Sequence, residues 1–369
     1  MKFRPRVFIT DGSYPNAVAA IRALGRDGSL VTVGERDSIS AKGSIGFWSR
    51  YCSSRFRYPD PERNRNATVD SLKTLFSENE FDAVIPIGLQ MTELFVLNGE
   101  HLPMKAMLPP RDSFEIAADK RRTFEFAKNL GVRIPATVPA CDYRSIPPPC
   151  VFKHPRTGAE VAYSTQEAKE IAERLGDELC RYIVQAFIPG CNGFGYFGFY
   201  VAGREQGFFM HERLMQFPIE GGPSVEARSI YDPELRELGK LLLSSLGWHG
   251  VAMVEFKRSD ADGKLYLMEI NPKFWGSLDL AIQAGCNFPL WMQDHILGRQ
   301  PQIPTSYESR VAYQWVVPNG IKCFLRYPRY RWPFLRHLVN PHIRRDMQFL
   351  DPLPTFAGLA QMIGNFLRP

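Results

Sequence analysis

The stretch that most constrains this chain runs from Val251 to Ser277. Val251-Ala252-Met253-Val254-Glu255-Phe256 reads as an apolar strand and Leu265-Tyr266-Leu267-Met268-Glu269-Ile270 as a second, each carrying a carboxylate near its end. Asp260-Ala261-Asp262-Gly263-Lys264 between them reads as a hairpin turn, with Gly263 at the left-handed position of a three-residue loop. That loop pairs Asp260 with Lys264, and counting back sets Glu255 directly opposite Glu269. Side chains two apart on a strand share a face, so Asn271 points with Glu269. Like charges facing across a hairpin repel unless something positive lies between them. Two carboxylates and an amide oxygen form a hard oxygen site suited to Mg²⁺, or the similar Mn²⁺, with substrate phosphates completing the shell. The competing reading is a pair of solvated glutamates. If the repulsion is real, Glu269→Gln should leave the metal-free protein no less stable.

At 369 residues the chain is long enough for two or three domains. Its 44% hydrophobic and 23% charged residues are those of an ordinary globular protein. The net charge of +6 favours anionic partners without separating nucleotide, nucleic acid and membrane surface. The seven cysteines are scattered and never in Cys-x-x-Cys spacing, which suggests a reducing compartment and no zinc site. The apolar run after Arg6 is too short for a signal-peptide core, and nothing approaches the roughly 20 apolar residues that span a bilayer. The expectation is a cytoplasmic protein.

Arg6-Val7-Phe8-Ile9-Thr10 reads as a buried strand, Asn16 to Leu24 as a helix stopped by Gly25, and Leu30 to Val33 as a second strand. This βαβ-type opening lacks the Gly-x-Gly-x-x-Gly spacing of dinucleotide binding. A third strand over 81–87 feeds a helix from Gln90 to Asn98. Val151-Phe152-Lys153 is a strand from which Lys153 can reach a phosphate beside the Thr157-Gly158 turn, with Arg156 a further candidate. Gly193 to Val201 is an aromatic strand whose glycines read as close-packing positions, with Gly207 to Arg213 as its partner. The Gly221-Gly222 turn can offer backbone N–H groups to an anion, and Arg213, Ser224 and Arg228 lie around it as candidates for carboxylate or acyl-phosphate recognition. Ser277 begins a helix to Ala284 whose N-terminus could cradle a substrate anion.

Glu255 followed by Glu269-Ile270-Asn271-Pro272 resembles the metal-binding end of ATP-grasp enzymes such as biotin carboxylase and D-alanine–D-alanine ligase. The run from Gly247 through Phe274-Trp275-Gly276-Ser277 is similar to the branch described as carbamoyl-phosphate-synthetase-like, or as carboxylate–amine ligases. The resemblance covers Val7 to about Gly298 and is most specific in its last third. It implies a mixed α/β and α+β fold: an N-terminal α/β (pre-ATP-grasp) domain over 1–110, an ATP-grasp domain over 111–300 with a small lid at about 140–190 and a central antiparallel sheet, and a C-terminal extension over 301–369. It also implies Lys120 and Lys153 on the nucleotide phosphates, and the hinge Gln185, Phe187, Ile188 on adenine. Asn192 would lie at the ribose, Mg²⁺ on Glu255, Glu269 and Asn271, and Arg228 and Lys273 against the acyl phosphate. Gln185 and Asn192 stand where the family commonly has acids, Lys273 where it often has arginine, and the phosphate loop holds fewer glycines.

The function implied is an Mg-dependent, ADP-forming ligase that joins a carboxylate to an amine through an acyl phosphate. A nucleotide-binding regulator without turnover, with or without membrane association, is the alternative. From Ser309 to Arg345 the chain carries Lys322, Arg326, Arg329, Arg331, Arg336, Arg344 and Arg345, aromatics between them, and no acid. Such a stretch suits peripheral contact with an anionic membrane, or a tail packed on the body; nucleic acid is supported by composition alone. The sequence leaves the oligomeric state open.

Overall fold

The computed structural model describes residues 3–366 apart from Ala41, Thr157, Cys191, Asn192 and Glu220. The chain opens as a parallel sheet of β1 (Arg6–Ile9), β2 (Leu30–Arg36), β3 (Cys52–Tyr58) and β4 (Ala83–Ile85), in the order β3-β2-β1-β4. The first helix, Pro15–Arg26, runs through Gly25 instead of stopping there. A Cβ on Gly25 would meet the Tyr51 ring, so this glycine serves close approach, and the turn is made by Gly28 at φ 100°.

A small antiparallel sheet follows: β5 (Thr137–Pro139), β6 (Cys150–Lys153), β7 (Ala159–Ala162) and β8 (Ile183–Ala186), ordered β5-β8-β6-β7. Its own core, from Tyr143, Phe152, Ile171 and Val184, is separate from the others. Cys141 and Cys180 face each other beside it within disulfide reach, with Cα–Cα 5.4 Å. The scatter of cysteines along the chain gave no sign of this pair; the 3-10 turn Ala140–Ser145 after β5 and the turn Gly176–Arg181 before β8 bring it together.

The third sheet has seven strands: β9 (Gly193–Val201), β10 (Arg204–Gln216), β11 (Ser224–Ser229), β12 (Gly250–Arg258), β13 (Leu265–Asn271), β14 (Ala312–Gln314) and β15 (Ile343–Arg345). Its order is β13-β12-β9-β10-β11-β14-β15. One face, with Phe197, Phe199 and Met253, packs on the helices Pro15–Arg26 and Phe288–Ile296 and so joins the N-terminal sheet in one core. The other face, with Tyr196, Val254 and Phe256, packs on the helix Pro233–Ser245.

The C-terminal stretch is therefore part of the body. β14 pairs with β11, β15 lies parallel to β14, and Tyr313 and Trp315 are buried in the main core. Asp351 then locks the end of the chain to its beginning. Its carboxylate takes Arg22 Nε at 2.8 Å, Ser49 Oγ at 2.8 Å and the Arg50 N–H at 2.8 Å, and both members of the Arg22–Asp351 pair are almost wholly buried.

Around that lock, burial pushes the carboxyl of Asp279 up to about 7 against the pull of Arg22, and that of Asp346 up to about 6. Both folded-state values exceed the roughly 4 of an unfolded aspartate. Their contribution to stability is then fully present below about pH 4 and is lost as pH rises through about 6 to 7. Asp279→Asn should flatten that loss in denaturant titrations. At pH 8 it should leave the variant more stable than wild type by on the order of 1–3 kcal/mol. Parallel pH profiles for the two proteins would contradict this.

Candidate active site

The hairpin β12–β13 sets Glu255 opposite Glu269, although by a different register from the expected one. Arg258 pairs with Leu265, so Asp260 and Lys264 are not partners, and the Asp260 N–H bonds Pro189 O at 3.0 Å instead. A register shift next to Glu255, where Met268 is the extra residue, returns the glutamates to facing positions. Asn271 shares the face of Glu269 and donates from Nδ2 to Glu269 Oε1 at 2.7 Å.

Cations occupy the space between the carboxylates. Lys120 Nζ lies 3.2 Å from Glu269 Oε2, and Arg213 NH1 lies 3.1 Å from Glu255 Oε1. Lys120 is delivered by the first turn of the helix Lys120–Asn129, which the Asp119 side chain caps at the N–H groups of Arg121 and Arg122. Arg213 comes from β10 and must cross β9 to reach Glu255 on β12. It crosses over Gly193, where a Cβ would lie 3.4 Å from Arg213 NH1 and 3.6 Å from Glu255 Oε1. A Cβ there would be in ordinary contact, so the ion pair does not require this glycine; Gly195 and Gly198, where a Cβ would fall 2.5 Å from the Phe197 ring and 2.4 Å from the Tyr200 ring, are the close-packing positions that the sequence suggested.

The electrostatics follow from this arrangement. Burial opposes ionisation of Glu269, but Lys120, the Asn271 amide and Lys153 outweigh it and hold the carboxyl down to about 2. Burial brings Lys153 down to about 8, and Lys273 below the ordinary lysine range, although Glu269 opposes both shifts. Asp11, beyond the end of β1, and Glu255 oppose the shift of Lys273 as well, and its ammonium donates to Phe274 O at 3.3 Å. Among the described residues no group of three acidic, histidine or cysteine side chains forms a metal cluster; the donor set here is two carboxylates and one amide. Those three oxygen donors on one face of paired strands fit a hard divalent cation, with Arg213 and Lys120 at present neutralising them.

On the small sheet, Gln185 is buried, donates to Thr137 Oγ1 at 2.8 Å, and leaves its Oε1 buried without a partner. A buried acceptor left unpaired costs about 1–3 kcal/mol, so a donor such as an adenine amino group fits it. Phe187 and Ile188 are half-buried beside it, with Lys257 Nζ 4.5 Å from the Phe187 ring centroid. Asn192 lies outside the described residues.

Several expectations are corrected. Arg228 pairs across the strands with Glu212, at 2.7 Å, one residue out of phase with Arg213; it therefore lies on the opposite face of the sheet from Glu255. Ser224 does stay with the site, accepting from Arg213 Nε at 3.1 Å. Ser277 is buried before a helix of only six residues, Leu278–Gln283, makes no side-chain cap, and is followed by the buried acid Asp279, which disfavours an anion cradle there. Arg156, a phosphate candidate, is held by Glu93 at 2.6 Å, tying the turn after β6 to the N-terminal half. One residue that sequence reasoning missed is His211. It shares the face of Arg213, is fully buried with neither ring nitrogen hydrogen-bonded, and is held neutral by burial and by Arg213.

Two facing carboxylates on a seven-stranded sheet, together with a small four-stranded antiparallel sheet and a parallel N-terminal sheet, describe a known architecture. The structure superposes on an L-amino acid ligase from Bacillus licheniformis at TM-score 0.63 and 18% identity, over 80% of this chain and 75% of that one. The chain has the ATP-grasp fold. A second ATP-grasp neighbour is the biotin carboxylase domain of the 2-oxoglutarate carboxylase of Hydrogenobacter thermophilus, solved with MgADP and bicarbonate, at TM-score 0.65, 14% identity, and 85% and 74% coverage. A third is the ADP complex of N5-carboxyaminoimidazole synthetase from Staphylococcus aureus, at 0.63, 15%, and 85% and 81%. Residues 225–317 match the family model "ATP-grasp in the biosynthetic pathway with Ter operon". No functionally curated sequence matches the chain.

Proposed function

We propose that this ATP-grasp protein is an ADP-forming ligase that joins a small-molecule carboxylate to an amine or similar nucleophile through an acyl phosphate. The observation that carries the reading is the Glu255–Glu269–Asn271 oxygen set ringed by Lys120, Lys153, Lys273 and Arg213. Mg²⁺ bound by those oxygens would neutralise the triphosphate and its developing charge. Lys120 and Lys153 hold the phosphates as point charges, and Gln185, Phe187 and Ile188 receive the base. A substrate carboxylate oxygen attacks the γ-phosphorus and ADP leaves; the amine then attacks the acyl carbon, loses a proton, and inorganic phosphate departs. Lys273 and Arg213 orient the carboxylate and take up its charge while Ser224 fixes the Arg213 fork. The working division is an N-terminal unit to 110, an ATP-grasp unit over 111–300 with its lid near 140–190, and the segment 301–369 as a brace. On this reading the enzyme works in the cytoplasm, and of 309–345 only the exposed side chains between the packed strands β14 and β15 are open to a membrane surface.

MgATP should raise the thermal stability of the protein, since a ligand at 100 times its Kd adds about 2.7 kcal/mol. A screen of amino acids and dipeptides for ADP release should then find an acceptor pair. Folded protein that shows no shift at saturating MgATP would sink the reading.

A further inference from the structure

The helix Pro328–Val339 is amphipathic in the wrong sense for a helix packed on a protein body. Its inner side is supplied by Phe334, which is buried, and by His337, whose Nδ1 meets Glu226 at 2.7 Å. Trp332, Leu335 and Val339 fall at i, i+3 and i+7 and make one stripe, and that stripe faces solvent, with exposures of 74%, 42% and 79%. The helical period puts Arg331 on one flank of it and Arg329 and Arg336 on the other, all exposed. An apolar stripe bordered on both sides by arginines is the pattern of a helix lying in a lipid–water interface, where the stripe enters the acyl boundary and the guanidinium groups reach back to headgroups.

We propose that this helix docks the protein on an anionic lipid surface, lying parallel to it. Charge complementarity selects this occupant. No acidic residue occurs between 309 and 345, so a second copy of the same face would bring arginine against arginine. A nucleic acid can stack a base on Trp332 but leaves Leu335 and Val339 of the same stripe without a partner. No helix among the described residues is long and apolar enough to cross a membrane, so the contact is peripheral. The proposal stands apart from the ligase reading, because it uses no residue of the hairpin or the lid.

The test uses the full chain and point variants, because removing the C-terminal stretch would also strip β14 from the central sheet. Wild type should co-float with vesicles of 70% phosphatidylcholine and 30% phosphatidylserine, and not with phosphatidylcholine alone. Replacing Arg329, Arg331 and Arg336 by Gln should weaken that binding about 100-fold, near fivefold for each charge. Trp332→Ser with Val339→Ser should abolish it while the thermal midpoint without lipid stays unchanged, both sites being exposed. Three results would overturn the proposal: unchanged vesicle binding by both variants, a drop in oligomer mass for the stripe variant in place of lost vesicle binding, or binding to nucleic acid that depends on the arginines while vesicles are ignored.

Discussion

Glu269→Gln should cut ADP release by on the order of 100- to 1,000-fold with MgATP and a working substrate, because one of the two carboxylates proposed to hold Mg²⁺ loses its charge. The structure also reverses what the sequence suggested for stability. The facing glutamates are overcompensated, with Lys120, Lys153 and Arg213 beside them and Glu269 held down to about 2. A carboxylate whose folded pKa is depressed stabilises the fold above its unfolded value of about 4.3 and loses that contribution as pH falls toward about 2. Glu269→Gln should therefore cost on the order of 1–2 kcal/mol at pH 7, discounted because the side chain is 31% exposed. Denaturant unfolding at pH 7 without metal, beside ADP release, separates the two effects. Undiminished ADP release in the variant would refute the metal assignment whatever the stability showed.

Asp351→Ala should be the most damaging single change outside the active site. It leaves Arg22 buried and unpaired and removes the acceptor for Ser49 Oγ and the Arg50 N–H. Breaking a buried pair from one side costs about 3–5 kcal/mol. The expected signature is a lower denaturant midpoint together with new protease sensitivity in the segment around Met347 to Leu353. A double variant with Arg22→Met and Asp351→Leu should regain much of the loss, since apolar replacement of both partners relieves the unpaired charge. Equal stability of Asp351→Ala and wild type would show that the lock is dispensable.

The facing of Glu255 and Glu269 with Asn271 beside them was legible because its signal is local: two strands, two carboxylates and an amide within about twenty residues of chain. Even there, the turn register was misread, since neither the wider loop over 259–264 nor the compensating bulge at Met268 leaves a mark on periodicity. Arg228 was misplaced for a related reason. Its side of the sheet depends on how β11 pairs with β10, which is set by irregularities around Met215. Lys120 looks like an ordinary lysine opening a surface helix, and only the family resemblance singled it out, whereas the strand end beside the Thr157-Gly158 turn already pointed to Lys153. β14 and β15 are three residues each, too short to show alternation; β14 exists because the edge of β11 receives it, and β15 because β14 then offers an edge. The basic stretch was noticed by composition. Which of its residues face outward required the helix Pro328–Val339 to be seen in place.

The closing of the central sheet by β14 bears on how the protein is made. Ribosomes release the chain from its amino end, so β9 to β13 emerge and can pair well before residues 312–314 do. During that interval the outer edge of β11 presents unpaired N–H and C=O groups, the kind of edge that invites pairing with another chain. Arg22 likewise waits some 330 residues of synthesis for Asp351. The nascent chain therefore spends most of its translation with Arg22 awaiting its partner, and from about residue 229 to 312 the sheet edge is open as well, the interval in which a chaperone would matter most.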